Sequence, residues 1–106
     1  GELLMSQEVF DGSGRPKSGY GGRVYHNHNT ASSDAARRFE TSEKKLRDVV
    51  IRVEDYGQLM GDESGQEFPV GAGEWVGFTQ VDVSTLYFKN RSAGENGTVR
   101  IIGVED

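Results

Sequence analysis

From Lys45 onward the apolar residues fall mostly at every second position. Residues 48–55 read DVVIRVED, with Val49, Ile51 and Val53 on one side of an extended chain and Arg52 and Glu54 on the other. That alternation predicts a strand with one buried face. Shorter runs follow at residues 58–60, 67–70, 75–78 (continuing to Val81 and Val83), 86–89 and 98–104. Pro69 marks the second of these as an edge strand, because proline cannot donate to a ladder. The last two runs are expected to pair as a hairpin. Turn signals separate the runs: residues 61–65, then Gly71-Ala72-Gly73-Glu74, then 90–97. A positive φ is expected in the second turn, and Asn96-Gly97 suits one in the third.

Six to eight short strands with no long connection describe an all-β chain, a small antiparallel β-sandwich of jelly-roll-like form. Its expected core is Val49, Ile51, Val53, Phe68, Trp75, Phe78, Leu86, Phe88, Val99 and Ile101. Helix should stay below about a tenth of the residues.

The N-terminal third has a different character. Residues 1–10 hold Leu3, Leu4, Met5, Val9 and Phe10, enough for one short strand or an apolar peg. Residues 11–22 (DGSGRPKSGYGG) are rich in turn formers and read as a loop or extended arm. Residues 23–29 alternate weakly, as a strand would. Ser32 or Ser33 is placed to cap one helical turn over 34–38. Residues 37–41 fit a short strand with Phe39 inward. Of the 24 Leu, Ile, Val and Phe residues, 5 lie in residues 1–35 and 19 in 36–106. The expected division is therefore an N-terminal arm, 1–35, and a β-sandwich domain, 36–106. Such an arm must lean on the domain or on another chain.

Charge narrows the partners. The net charge is −5 and no basic stripe interrupts it, which argues against a binder of nucleic-acid phosphates. There is no cysteine, so no disulfide is needed. No apolar run approaches the length of a membrane span, and no basic-then-apolar leader stands at the start; no membrane partner is expected. Gly1 in place of Met fits a processed end or a residue left by expression.

Candidate chemistry is thin. His26 and His28 would point the same way on a strand, yet two ligands do not close a tetrahedral zinc site. The acidic turn from Asp62 to Glu67 lacks the spacing of a calcium loop and is expected to be a solvated turn. Asn90-Arg91-Ser92 and Asn96-Gly97-Thr98 fit the N-glycosylation pattern. Ser84 and Thr85 have no accompanying motif for nucleophilic catalysis, and Gly12-Ser13-Gly14 lacks the context of a phosphate loop. No catalytic residue, metal or cofactor is expected. Trp75, Phe78, Tyr87 and Phe88 are expected in the core; an exposed coplanar pair among Trp75, Tyr56 and Tyr87 would instead suit a sugar.

Residues 36–106 carry a family resemblance. Gly61-Asp62, Phe68, Val70, Gly73-Glu74, Asp82-Val83-Ser84, Leu86-Tyr87-Phe88 and 99–104 follow the order of strands and turns in small β-sandwich domains of virion structural proteins. These are decoration, minor capsid and head-associated proteins of tailed bacteriophages and related archaeal viruses. The resemblance implies a non-enzymatic virion component with capsid or other virion proteins as partners. It also implies a homo-oligomer, a trimer by analogy with many decoration proteins. Leu3, Leu4, Phe10, Tyr20 and Tyr25 are then the expected partner contacts. The alternative expectation is a carbohydrate- or receptor-binding sandwich module.

Overall fold

The computed structural model describes residues 22–105. Seven strands form two antiparallel sheets. They are β1 (Val24–Ala31), β2 (Lys45–Val53), β3 (Gln58–Asp62), β4 (Gly65–Val70), β5 (Trp75–Asp82), β6 (Tyr87–Asn90) and β7 (Thr98–Glu105). The only helical piece among the described residues is a 3-10 turn, Val83–Thr85, capped by the Asp82 carboxylate. One sheet has the order β1-β7-β2-β5 and the other β4-β3-β6. This is the Greek-key order of a jelly roll with one strand missing. The missing strand would follow β1 in sequence and lie beside β6. All that remains of it is the single bridge Arg37↔Phe88.

The all-β, jelly-roll-like sandwich expected from the alternation is what forms. Val49, Ile51, Val53, Leu86, Phe88, Val99 and Ile101 are buried as expected. Phe39, Leu46, Met60, Val70 and Val83 complete the core, and the Phe39 and Phe88 rings meet at 5.0 Å between centroids. Each such side chain contributes on the order of 1.5–3 kcal/mol by leaving water.

Several expectations need correction. Phe68 and Trp75 are 61% and 63% exposed, and Phe78 is only half-buried against the core. β6 and β7 do not form a hairpin. They lie in different sheets, and the loop between them crosses the sandwich. The helical turn at 34–38 does not form, because that segment is bonded to β6 instead: Arg37 and Phe88 exchange both backbone hydrogen bonds, and Asn90 N donates to Ser33 O. The sandwich begins at Val24, not at residue 36, since β1 pairs along its length with β7. In the last turn the positive φ falls on Gly94, not Gly97. The turns Gly71-Ala72-Gly73-Glu74 and Ser92-Ala93-Gly94-Glu95 are built alike, with glycine at positive φ third and the fourth N–H donating to the first carbonyl.

β2 contains the one irregularity that decides the core. Its pairing with β7 shifts by one residue between Arg47 and Val50, and Asp48 sits there at φ 52. The extra residue turns Leu46 and Val49 to the same side. Opposite the bulge stands Gly103, where a Cβ would come within 3.0 Å of Val49 Cγ2. Tyr25, in register with Gly103 across β1, supplies ring where that side chain is missing.

Candidate docking surfaces

The pleat of the four-stranded sheet places alternate residues of β1, β7, β2 and β5 on its outer face. His26, Ile102, Val50 and Gly77 stand side by side there in one cross-strand row. Val24 and Val104 flank the row on one side. Arg100, Arg52 and Trp75 form the next row on the other. The Trp75 ring reaches back along its strand toward Gly77, with Cζ3 3.5 Å from where a Cβ would be. Val24 is 63% exposed, Ile102 49% and Val50 39%. Glu54 bridges the two arginines, at 3.3 Å from each Nε. Apolar side chains bordered by guanidinium groups thus face outward from a sheet that no other layer covers among the described residues. A plain solvated sheet face would alternate apolar-in and polar-out; on this face Val24, Val104, Ile102, Val50 and Trp75 stand among His26, Arg47, Gln80, Arg52 and Arg100.

A second apolar surface lies where the two sheets part. β4 and β5 are both edge strands, joined by the Gly71–Glu74 turn, and they splay. Phe68 points to the inner side of β4, in register with the buried Met60. Nothing on β5 reaches across to cover it. The resulting cleft of about 600 Å³ is lined by Met60, Phe68, Val76, Phe78, Val81 and Leu86 together with Gly61, Gly77, Asp62 and Thr85. The sequence signal for Phe68 was therefore correct about its side of the strand and silent about the gap.

A third, polar cavity of about 640 Å³ opens beside the β3–β4 hairpin. Arg38, Asp62, Glu63, Ser64, Ser84, Thr85 and Tyr87 line it. The Arg38 guanidinium lies 5.2 Å from the Tyr87 ring centre and donates to Ser84 O at 3.3 Å. Asp62 closes the hairpin by accepting from Ser64 Oγ and N. The Ser64 hydroxyl and N–H hold its carboxyl below the usual range, so it stays a carboxylate at neutral pH and has no proton to give.

A buried polar cluster fastens the segment after β1. Ser32 Oγ donates to Asn90 Oδ1 at 2.6 Å and accepts from Gly97 N at 2.8 Å. Asn90 Nδ2 donates to Asp34 Oδ1 and to Asn96 Oδ1. Gly94 N donates to Asp34 as well, and it and Asn90 lower the Asp34 pKa. Both protons of the Asn90 amide are thereby committed, and the residue is buried. Of the two glycosylation-type asparagines, Asn90 is buried and Asn96 exposed, with the Asn96 Oδ1 held by the Asn90 amide.

The expected partner contacts separate. Tyr25 lies in β1, packs against the core and donates to Glu40 at 2.6 Å. Burial, and then the Glu40 carboxylate, push its hydroxyl pKa well above the usual tyrosine value. Leu3, Leu4, Phe10 and Tyr20 lie outside the described residues, as does the side chain of His28. Among the described residues no three of His, Cys, Asp and Glu come together as a metal-binding group, and no helix is long and apolar enough to cross a membrane. Of the aromatics that would signal a sugar platform, Trp75 and Tyr56 are exposed, while Tyr87 is half-buried under Arg38. The exposed apolar residues on the outer sheet face are not anticipated in the sequence reading. Their signal was the pair Val50 and Ile102, apolar residues at the outward phase of β2 and β7. No protein-family model matches this chain, and neither a curated protein nor a solved structure is similar to it.

Proposed function

We propose that this chain is a non-enzymatic structural subunit of a virus particle, a decoration or minor head-associated protein of a tailed virus. It adheres to neighbouring subunits through the outer face of its four-stranded sheet. The observation that supports this reading most is the set of exposed apolar side chains Val24, Ile102, Val50 and Trp75, spread over three neighbouring rows of one sheet face. Large apolar patches of this kind mark interaction surfaces. The jelly roll is a fold that viral capsid domains use, which supports the reading as analogy. Many equivalent copies would turn a modest contact into firm attachment. Mass spectrometry of purified particles tests it: the chain should co-purify with virions at fixed stoichiometry. Its absence from particles sinks the reading.

The polar cavity favours a second reading, a carbohydrate-binding or receptor-binding module. Two carboxylates, a guanidinium laid on an aromatic ring and four hydroxyls are the groups that sugar hydroxyls pair with. Glycan-array binding lost on Arg38→Ala, with the fold intact by circular dichroism, would favour this reading over the first.

A further inference from the structure

Asn96 is the only asparagine in the chain that glycine follows. An asparagine so placed carries a reaction of its own. The backbone nitrogen of the next residue gives up its proton and attacks the side-chain carbonyl carbon. A succinimide ring closes and ammonia leaves. Water then opens the ring at either carbonyl, leaving aspartate or isoaspartate. Glycine favours the attack because no side chain shields its nitrogen. The attack also needs that nitrogen free and brought up to the carbon in a reactive geometry.

The fold has a use for both residues. A Cβ at Gly97 would come within 3.1 Å of Tyr56 N, which leaves little room for a side chain. Asn96 Oδ1 accepts from Asn90 Nδ2 at 2.6 Å, in the cluster that fastens residues 32–37 to β6. That bond polarises the carbonyl that would be attacked. The Asn96 side chain is exposed, so water is at hand. The nucleophile, by contrast, is withheld. Gly97 is buried, and its N–H donates to Ser32 Oγ at 2.8 Å. Ser32 is 2% exposed and donates onward to Asn90 Oδ1 at 2.6 Å, which fixes the acceptor in place. Ser32 N also donates to Gly97 O at 2.9 Å, so two bonds clasp the segments together.

We infer that Asn96 is a deamidation site locked by Ser32: the folded chain keeps the amide, and the unfolded chain loses it irreversibly. Chemical change of the unfolded state is one way in which unfolding becomes irreversible. A carboxylate at 96 would share the Asn90 amide nitrogen with the carboxylate of Asp34, whose Oδ1 lies 2.8 Å from it, and the like charges repel. Isoaspartate adds a methylene to the main chain ahead of Gly97 and draws its N–H away from Ser32. Either product weakens the clasp. This inference goes beyond the proposed function and does not rest on it.

The test uses the full-length protein at mildly alkaline pH, folded in buffer and unfolded in guanidinium chloride. Peptide mass spectrometry follows the conversion of amide to acid at Asn96. The folded chain should convert several-fold more slowly than the unfolded one. Ser32→Ala, shown to be folded by circular dichroism, should convert several-fold faster than the native chain in buffer. Ser33→Ala, whose hydroxyl bonds Ala35 O instead, should convert at the native rate. Asn96→Asp, which reproduces one product, should melt below the native chain. Equal conversion of the folded and unfolded native chain overturns the inference. So does a folded Ser32→Ala that converts no faster than the native chain. If Ser32→Ala does not fold, the comparison of folded with unfolded native chain decides alone.

Discussion

Asp48 determines which way β2 faces. Strict alternation from Val49, Ile51 and Val53 would send Leu46 to solvent. The bulge at Asp48 reverses the phase, and Leu46 becomes one of the largest fully buried side chains. A left-handed backbone at a non-glycine residue costs about 1–2 kcal/mol, less for aspartate than for most others. Asp48→Gly should therefore stabilise the fold by about 0.5–1 kcal/mol, whereas Asp48→Val should destabilise it by more than that. Urea unfolding of the two variants checks the signs. If the glycine variant is the less stable, the ion pair of Asp48 with Arg47 at 3.7 Å outweighs the backbone term. Three other aspartates act by accepting hydrogen bonds, Asp62 within its own turn, Asp34 and Asp82 also from segments distant in sequence. Asp34, Asp62 and Asp82 each have a lowered pKa, the last through Lys44 N–H and then the Ser84 hydroxyl and N–H. Their folded values lie below the unfolded value of about 3.9. The stability they contribute is thus complete above that value and is lost as pH falls through it toward the folded pKa values. The melting temperature should be insensitive to these groups above about pH 5 and fall below about pH 4. The triple Asn variant should show a flatter acid limb; an unchanged limb would mean that other groups control acid unfolding.

At the scale of elements, the missing jelly-roll strand is replaced by side-chain hydrogen bonds. Ser32, Asp34 and Asn96 converge on Asn90 and pin residues 32–37 to β6 without a ladder. Removing the hub leaves the buried Ser32 hydroxyl without its acceptor, while Asp34 and Asn96 are exposed to water; an unpaired buried group costs about 1–3 kcal/mol. Asn90→Ala should therefore lower stability by about 2–3 kcal/mol, and Ser32→Ala by less. A double-mutant cycle between them should show coupling, since they share the 2.6 Å bond; strictly additive losses would contradict the hub. This cluster was not legible in the sequence, where Asn90 appeared only as a turn residue in a glycosylation triplet. The strands were legible because each has one buried face. Val49, Ile51 and Val53 announce β2, and Pro69 correctly marks β4 as an edge. The pairing of β6 and β7 was not legible, because alternation gives the inward side of a strand and not its sheet. Trp75 misled for a related reason. Its position beside Val76 and Phe78 suggests the core, but it has the outward phase, in register with Arg52. Phe68 has the inward phase and is exposed because the sheets part at that edge.

At the scale of the whole molecule, the two faces of the four-stranded sheet are unequally loaded. The inner face holds the buried Leu46, Val49, Ile51, Val53, Val99 and Ile101. The outer face holds apolar side chains that contribute nothing to that core. Under the proposed reading, stability and attachment should therefore be separable by mutation. Val50→Lys with Ile102→Lys places two ammonium groups in the middle of the row, beside Arg52 and Arg100. Substitutions on an exposed sheet face usually change stability by less than about 0.5 kcal/mol, though losing β-branched side chains adds to that. Burying either ammonium against a partner would be far more costly. The double variant should keep its melting temperature within a few degrees while losing self-association by analytical ultracentrifugation and attachment to particles stripped of the native chain. Arg38→Ala, on the opposite side of the molecule, should leave both unchanged. If the lysine variant attaches as well as the native chain, the outer face is not the docking surface. The opposite pattern, loss with Arg38→Ala alone, would move the functional site to the polar cavity and favour a glycan or receptor ligand.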